Sequence, residues 1–244
     1  MRVSLPAVTL VMIETREHEL ARLAIEDTLK VIEPAEIIVF TDRPDLIHVA
    51  GHVRYVEVPD FDSKLGWCEC YWHDVPPEIK TSHALMIQWD SWALDASMWR
   101  DEYLGYDYIG SPWWYKDGRN VGNSGFGMRS RRLMDYLLRH KDQYPVTTSA
   151  EDDLLSRTYR PRLEREGFRW APEELARDFA FECIRPPEGS RQFGFHGIFN
   201  WPFVLDYEAL DRRFNLARSS PYIVCSGRFA SLGRTLREMR KKTA

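Results

Sequence analysis

An α/β sandwich of Rossmann type, built around a central, mostly parallel sheet, is the fold class that the sequence predicts. Three observations carry this expectation. Residues 8–13 and 37–40 are apolar on both faces and rich in β-branched side chains, as strands covered by helices on both sides must be. Between them Leu20, Leu23, Ala24, Ile25 and Leu29 recur at helical spacing across residues 17–31, with Pro34 just past the end. At 244 residues, 44% of them apolar and 13% aromatic, the chain can bury one sizeable core, and no linker divides it.

The remaining elements follow in order. Thr41 and Asp42 close the second strand, and residues 53–58 alternate as a third, ended by Pro59, so the chain opens as βαββ. Residues 83–90 form the next strand and set Asp90 at its carboxyl end, where open α/β sheets hold their ligands. Residues 106–110 read as another strand, running into an aromatic loop over 111–118 suited to covering a ligand. A glycine-containing segment over 122–129 leads to Ser130, an N-cap for a helix over 131–140. Glu151, Asp152 and Asp153 open a helix over 151–165, where carboxylates complement the helix dipole. Six prolines, from Pro161 to Pro221, break the last third into short elements. A closing helix over 229–239 pairs an apolar stripe, Leu232 and Leu236, with Arg228, Arg234, Arg237, Arg240, Lys241 and Lys242; a solvated face and peripheral docking on an anionic membrane both fit it.

Composition narrows the function classes. A net charge of −4 from 33 basic and 37 acidic residues excludes nucleic-acid binding driven by a basic surface and favours a small or neutral substrate. Cys68, Cys70, Cys183 and Cys225 are expected to be reduced and buried, without zinc spacing. Pro6 and Thr9 interrupt the apolar start and Glu14-Thr15-Arg16 follows it, so the first segment reads as a strand and a cytoplasmic location is expected.

Four motifs then occur in order: Ile87-Gln88-Trp89-Asp90-Ser91; Tyr106-Asp107-Tyr108-Ile109-Gly110-Ser111-Pro112-Trp113; Val121-Gly122-Asn123-Ser124-Gly125-Phe126-Gly127-Met128-Arg129; and Glu151-Asp152-Asp153. Together they resemble the DUF5672 family. That resemblance implies a GT-A fold and transfer of a sugar from a nucleotide-sugar donor to a hydroxyl acceptor on a glycan or glycolipid, with no nucleic-acid partner. It further implies one domain over 1–244, with a nucleotide-sugar half at about 1–145 and an acceptor half at about 146–244 that ends in the basic helix and suits an acceptor held at the inner membrane.

Residue by residue, the usual Asp-x-Asp metal motif of such enzymes has its counterpart in Gln88-Trp89-Asp90, with glutamine replacing the first carboxylate. The resemblance implies a Mn2+ or Mg2+ ion held by Asp90 and a late histidine, His196, a donor site completed by Gln88, Trp89, Asn123, Ser124 and Gly125, and Asp152 as general base of an inverting reaction, with Glu151 or Asp153 positioning the acceptor. Trp113, Trp114 and Phe126 are expected to meet acceptor sugars, core packing being the competing role for any aromatic residue. Lys64 and Arg129 are candidate phosphate contacts. Two rival readings remain: a non-catalytic carbohydrate-binding protein of the same fold, and another nucleotide-dependent enzyme. Neither a Gly-x-Gly-x-x-Gly turn after the first strand nor a Walker lysine loop is present, which counts against most of the latter.

Overall fold

The computed structural model describes residues 1–61, 63–148, 150–224 and 227–243, with the backbone alone at 228 and 241–243. Among the described residues nine strands run in chain order: β1 (Val3–Ile13), β2 (Ile32–Thr41), β3 (Arg54–Glu57), β4 (His83–Ile87), β5 (Ser91–Ala93), β6 (Tyr108–Pro112), β7 (Val121–Ser130), β8 (Ala180–Phe181) and β9 (Gly194–His196). Six form the central sheet in the order β3-β2-β1-β4-β7-β6, and β5-β9-β8 form a small second sheet. β3, β2, β1 and β4 are mutually parallel, while β7 runs antiparallel to both β4 and β6, so the sheet is mixed but mostly parallel. The expected α/β class and its mostly parallel sheet are therefore present.

The helix His18–Val31 buries Leu20, Ala21, Leu23, Ala24 and Ile25, the stripe its periodicity predicts, and carries the chain from β1 to β2. Ser130 caps the helix Arg131–Arg139 by accepting the Leu133 N–H at 3.1 Å, also as predicted. The acidic helix is present, but its middle is wider than expected: Glu151–Asp153 leads into a π-helical stretch, Leu154–Tyr159, before α-helical geometry resumes at Arg160–Arg165.

The glycine-containing segment over 122–129 is a strand. All ten residues of β7 are buried between β4 and β6. Its glycines make room for neighbours: a Cβ on Gly122 would lie 2.2 Å from the Trp113 ring. Glycine is a poor strand former, so a close-packing requirement of this kind is invisible to propensity.

The small sheet draws β5, just past Asp90, against β9 from the last third. Its aromatic side chains fuse the two expected halves into one core: Trp92 packs edge-on against Phe195 at 4.5 Å, and Phe126, Phe179 and Phe193 share a cluster. The closing helix, Gly227–Thr243, turns Phe229, Leu232 and Leu236 inward, and Phe229 stacks on Phe214 with ring centroids 4.7 Å apart. These three side chains pack on the protein's own core; the side chains of Arg228, Lys241 and Lys242 lie outside the described residues. Among the described residues no helix is long and apolar enough to cross a membrane. Cys68 and Cys70 are buried thiols, as expected, but Cys183 is exposed, and Cys225 lies outside the described residues.

Candidate functional site

In the central sheet β1 has β2 on one side and β4 on the other, so the connections leaving the ends of β1 and β4 diverge and open a crevice between them. A cleft of about 500 Å³ occupies this place. Glu14, Thr15 and Arg16 from the end of β1 and Gln88, Trp89 and Asp90 from the end of β4 form its floor. One wall comes from Phe61, Ser63, Lys64 and Trp67, and the other from Ile198, Tyr222 and Ile223 of the last third. The walls are tied to the floor: Trp67 Nε1–H donates to the Ile13 carbonyl at 3.1 Å, and the Arg16 guanidinium lies 4.1 Å from the centre of the Tyr222 ring.

Asp90 is held rigidly. Its backbone carbonyl accepts the Gly197 N–H at 3.1 Å and its Oδ2 accepts the Ile198 N–H at 3.0 Å. Its other oxygen, Oδ1, is buried without a hydrogen-bond donor and lies 3.4 Å from His196 Nε2. On the far side of the imidazole, Nδ1 is 3.4 Å from Glu182 Oε1. Burial pushes the His196 imidazole down, but the Asp90 and Glu182 carboxylates outweigh it and raise it to about 10. The ring lies flat against Gly125, where a Cβ would come within 2.3 Å of it. Gly125 thus belongs to the site as a seat for His196.

These atoms fit a divalent cation. An aspartate oxygen lacking a donor faces an imidazole nitrogen across a spacing that one ion can bridge, and Glu182 on the opposite nitrogen is placed to fix the ring and its tautomer. No group of three or more such side chains that could hold a metal ion occurs among the described residues.

The three acidic residues at the helix start have different surroundings. Glu151 is buried: it pairs with the equally buried Arg129 and accepts from Ser124 Oγ. Arg129 lies 4.0 Å over the Tyr71 ring and serves this pair instead of a phosphate. Asp153 is exposed. Asp152, half-buried, feels the fields of both Lys64 and His196; burial, then the neighbouring Glu151 charge, push its carboxyl up to about 6.

Of the donor residues named from sequence, Gln88, Trp89 and Asp90 line the cleft, whereas Asn123 and Ser124 are committed within the scaffold, Asn123 Oδ1 accepting the Gly125 N–H at 3.1 Å. Phe126 is a correction: it is fully buried against Phe179, Phe193 and Gly194 and offers no face to an acceptor. Trp113 is also packed inside, 6% exposed, whereas Trp114 is 60% exposed on a separate cavity.

Sequence reasoning missed Glu14. Its Oε1 accepts the Arg16 and Glu17 N–H groups at 2.8 and 3.0 Å, and burial, partly offset by those bonds, pushes it up to about 7. Its position one residue beyond β1 was the available signal. Glu182, Trp67 and Tyr222 carry no comparable sequence mark. Among known proteins, the family described as Protein of unknown function (DUF5672) matches residues 69–196, and no curated protein matches the chain.

Proposed function

This chain belongs to the DUF5672 family, and from that premise we propose that it is a glycosyltransferase of GT-A type, moving a sugar from a nucleotide-sugar donor to a hydroxyl acceptor with inversion. One observation carries the reading: a cleft at the carboxyl ends of β1 and β4, lined by Asp90 and Lys64, with His196 3.4 Å from Asp90. The strand order β3-β2-β1-β4, with divergence at β1 and β4, supports a Rossmann-type nucleotide site there.

In the proposed reaction the acceptor hydroxyl oxygen bonds to the anomeric carbon as the bond from that carbon to the phosphate oxygen breaks. The nucleoside diphosphate leaves with the electron pair, and the hydroxyl proton passes to Asp152. With its carboxyl at about 6, Asp152 is ionised at neutral pH yet a stronger base than an ordinary aspartate. Glu151, locked to Arg129, is a positioning residue that fixes the start of this helix. Lys64 gives the cleft wall a positive charge for the departing diphosphate. A Mn2+ or Mg2+ ion, when bound by Asp90 and His196, supplies further neutralisation of that charge.

The glutamine at position 88 and an imidazole that can hold a proton between Asp90 and Glu182 favour a second reading, a carbohydrate-binding protein without transfer. Thermal melting with a panel of nucleoside diphosphates and nucleotide sugars, with and without Mn2+, separates the two. Metal-dependent stabilisation by one nucleotide family, lost in Asp90→Ala and His196→Ala, is the expected result. Indifference to every nucleotide would sink the transferase reading.

A further inference from the structure

We propose that the cavity beside Trp114 is an outer subsite for a glycan chain, so that the acceptor spans several sugar residues; only the word acceptor rests on the transferase reading. This cavity, about 420 Å³, is separate from the cleft and falls in the size range of small-molecule sites.

Its platform is aromatic and open. Trp114 is 60% exposed, and its ring centre lies 5.4 Å from that of Tyr115 with the planes tilted by 35°. An exposed indole beside a phenol is costly to leave in water and presents a broad face of the kind that covers the C–H side of a pyranose. The platform is also braced. Trp113, next in sequence, is packed inward against Gly122, and the Arg157 guanidinium sits 4.0 Å from the centre of the Tyr115 ring. The same guanidinium bonds both Asp117 oxygens, at 2.9 and 2.7 Å, and donates to the Arg119 carbonyl at 2.8 Å. A loop fixed at this many points has already lost the freedom that binding would otherwise cost.

The rim supplies hydrogen bonds. The Asn120 amide and the Arg177 guanidinium both donate to Glu173, so donors and acceptors lie side by side at the edge of the aromatic face, as sugar hydroxyls require. Arg177 offsets the Glu173 charge, and Lys116 adds a positive charge to the same lining, so cationic donors stand beside the neutral Asn120 amide.

The cavity connects to the proposed reaction centre through Arg157. That residue lies on the helical segment that begins with Glu151, five residues beyond Asp152. A glycan with its terminal hydroxyl at Asp152 is therefore directed along this helix toward the loop that Arg157 braces.

Saturation-transfer NMR with gluco-, galacto-, manno- and chito-oligosaccharides, and with the corresponding monosaccharides, tests the inference on wild type, Trp114→Ala and Trp114→Phe. At least one oligosaccharide series is expected to bind wild type more tightly than its monosaccharide, to bind Trp114→Ala about tenfold more weakly, and to recover largely in Trp114→Phe. Absence of oligosaccharide binding to wild type, or equal binding to Trp114→Ala, overturns the subsite. Nucleotide-induced thermal stabilisation, measured in parallel, should be the same in all three proteins. Trp114-dependent glycan binding without any nucleotide response keeps the subsite and removes the transferase reading; the reverse pattern removes the subsite alone.

Discussion

At the scale of single residues, Asp152 carries an opposition between stability and proposed chemistry. Its carboxyl rises from 3.8 to about 6 on folding, so the folded state binds a proton more tightly than the unfolded chain does. The folded protein consequently loses stability as pH climbs from about 4 to about 6, and the full penalty persists above that. Asp152→Asn removes the ionisation. Above pH 6 the variant should be more stable than wild type by about 1–2 kcal/mol, after allowance for partial solvent access, and the gap should close near pH 4. Denaturant unfolding at a series of pH values measures this; a variant less stable at pH 8 would show that ionised Asp152 is not penalised. Transferase activity, once a donor is identified, should fall at least 100-fold in the same variant. The acidic trio was legible in sequence, as was Asp90. What the sequence does not show is that the three adjacent carboxylates have different surroundings, because that depends on Arg129 and Ser124 of β7 capturing Glu151.

Among the elements, the helix His18–Val31 and the Ser130-capped helix lie close to where the pattern set them, while β1 begins five residues before its expected start at Val8 and β4 ends three residues before its expected end at Asp90. β7 is not legible as a strand, since its glycines are selected by what lies over them. Strands as short as β8 and β9, two and three residues long, have no period to detect. The close fit of β7 gives a direct test. Gly125→Ala places a methyl group 2.3 Å from the His196 ring, against backbone that is buried in the sheet, so the ring or the strand must shift. The expected cost is about 1–3 kcal/mol, together with a weakened Mn2+ and nucleotide response in thermal melts. An unchanged melting point and an unchanged response would mean that His196 has room the structure does not show.

For the whole molecule, the sheet order decides where the cleft opens, and distant segments decide its shape. Asp90 at the end of β4 could be found from the strand pattern alone; the approach of Ile198, Tyr222 and Ile223 could not, because no local signal records which late segment folds back. The expectation is one domain whose halves meet near residue 145, and across that division Trp92 packs on Phe195 and Trp201. A fragment of residues 1–145 should accordingly show no cooperative thermal transition by circular dichroism. A sharp transition in that fragment would show that the first half folds without these contacts.

The bond from Ile198 to Asp90 spans 108 residues, and its reach has a temporal meaning. On a ribosome adding about 5–20 residues per second, roughly 5–20 s pass between the emergence of Asp90 and that of its clamp. Throughout that interval β5 lacks β9, and Trp92 lacks Phe195 and Trp201. The nascent chain thus passes this interval with the proposed site half built, and its yield in a cell should depend on chaperone supply more than the stability of the finished protein would suggest.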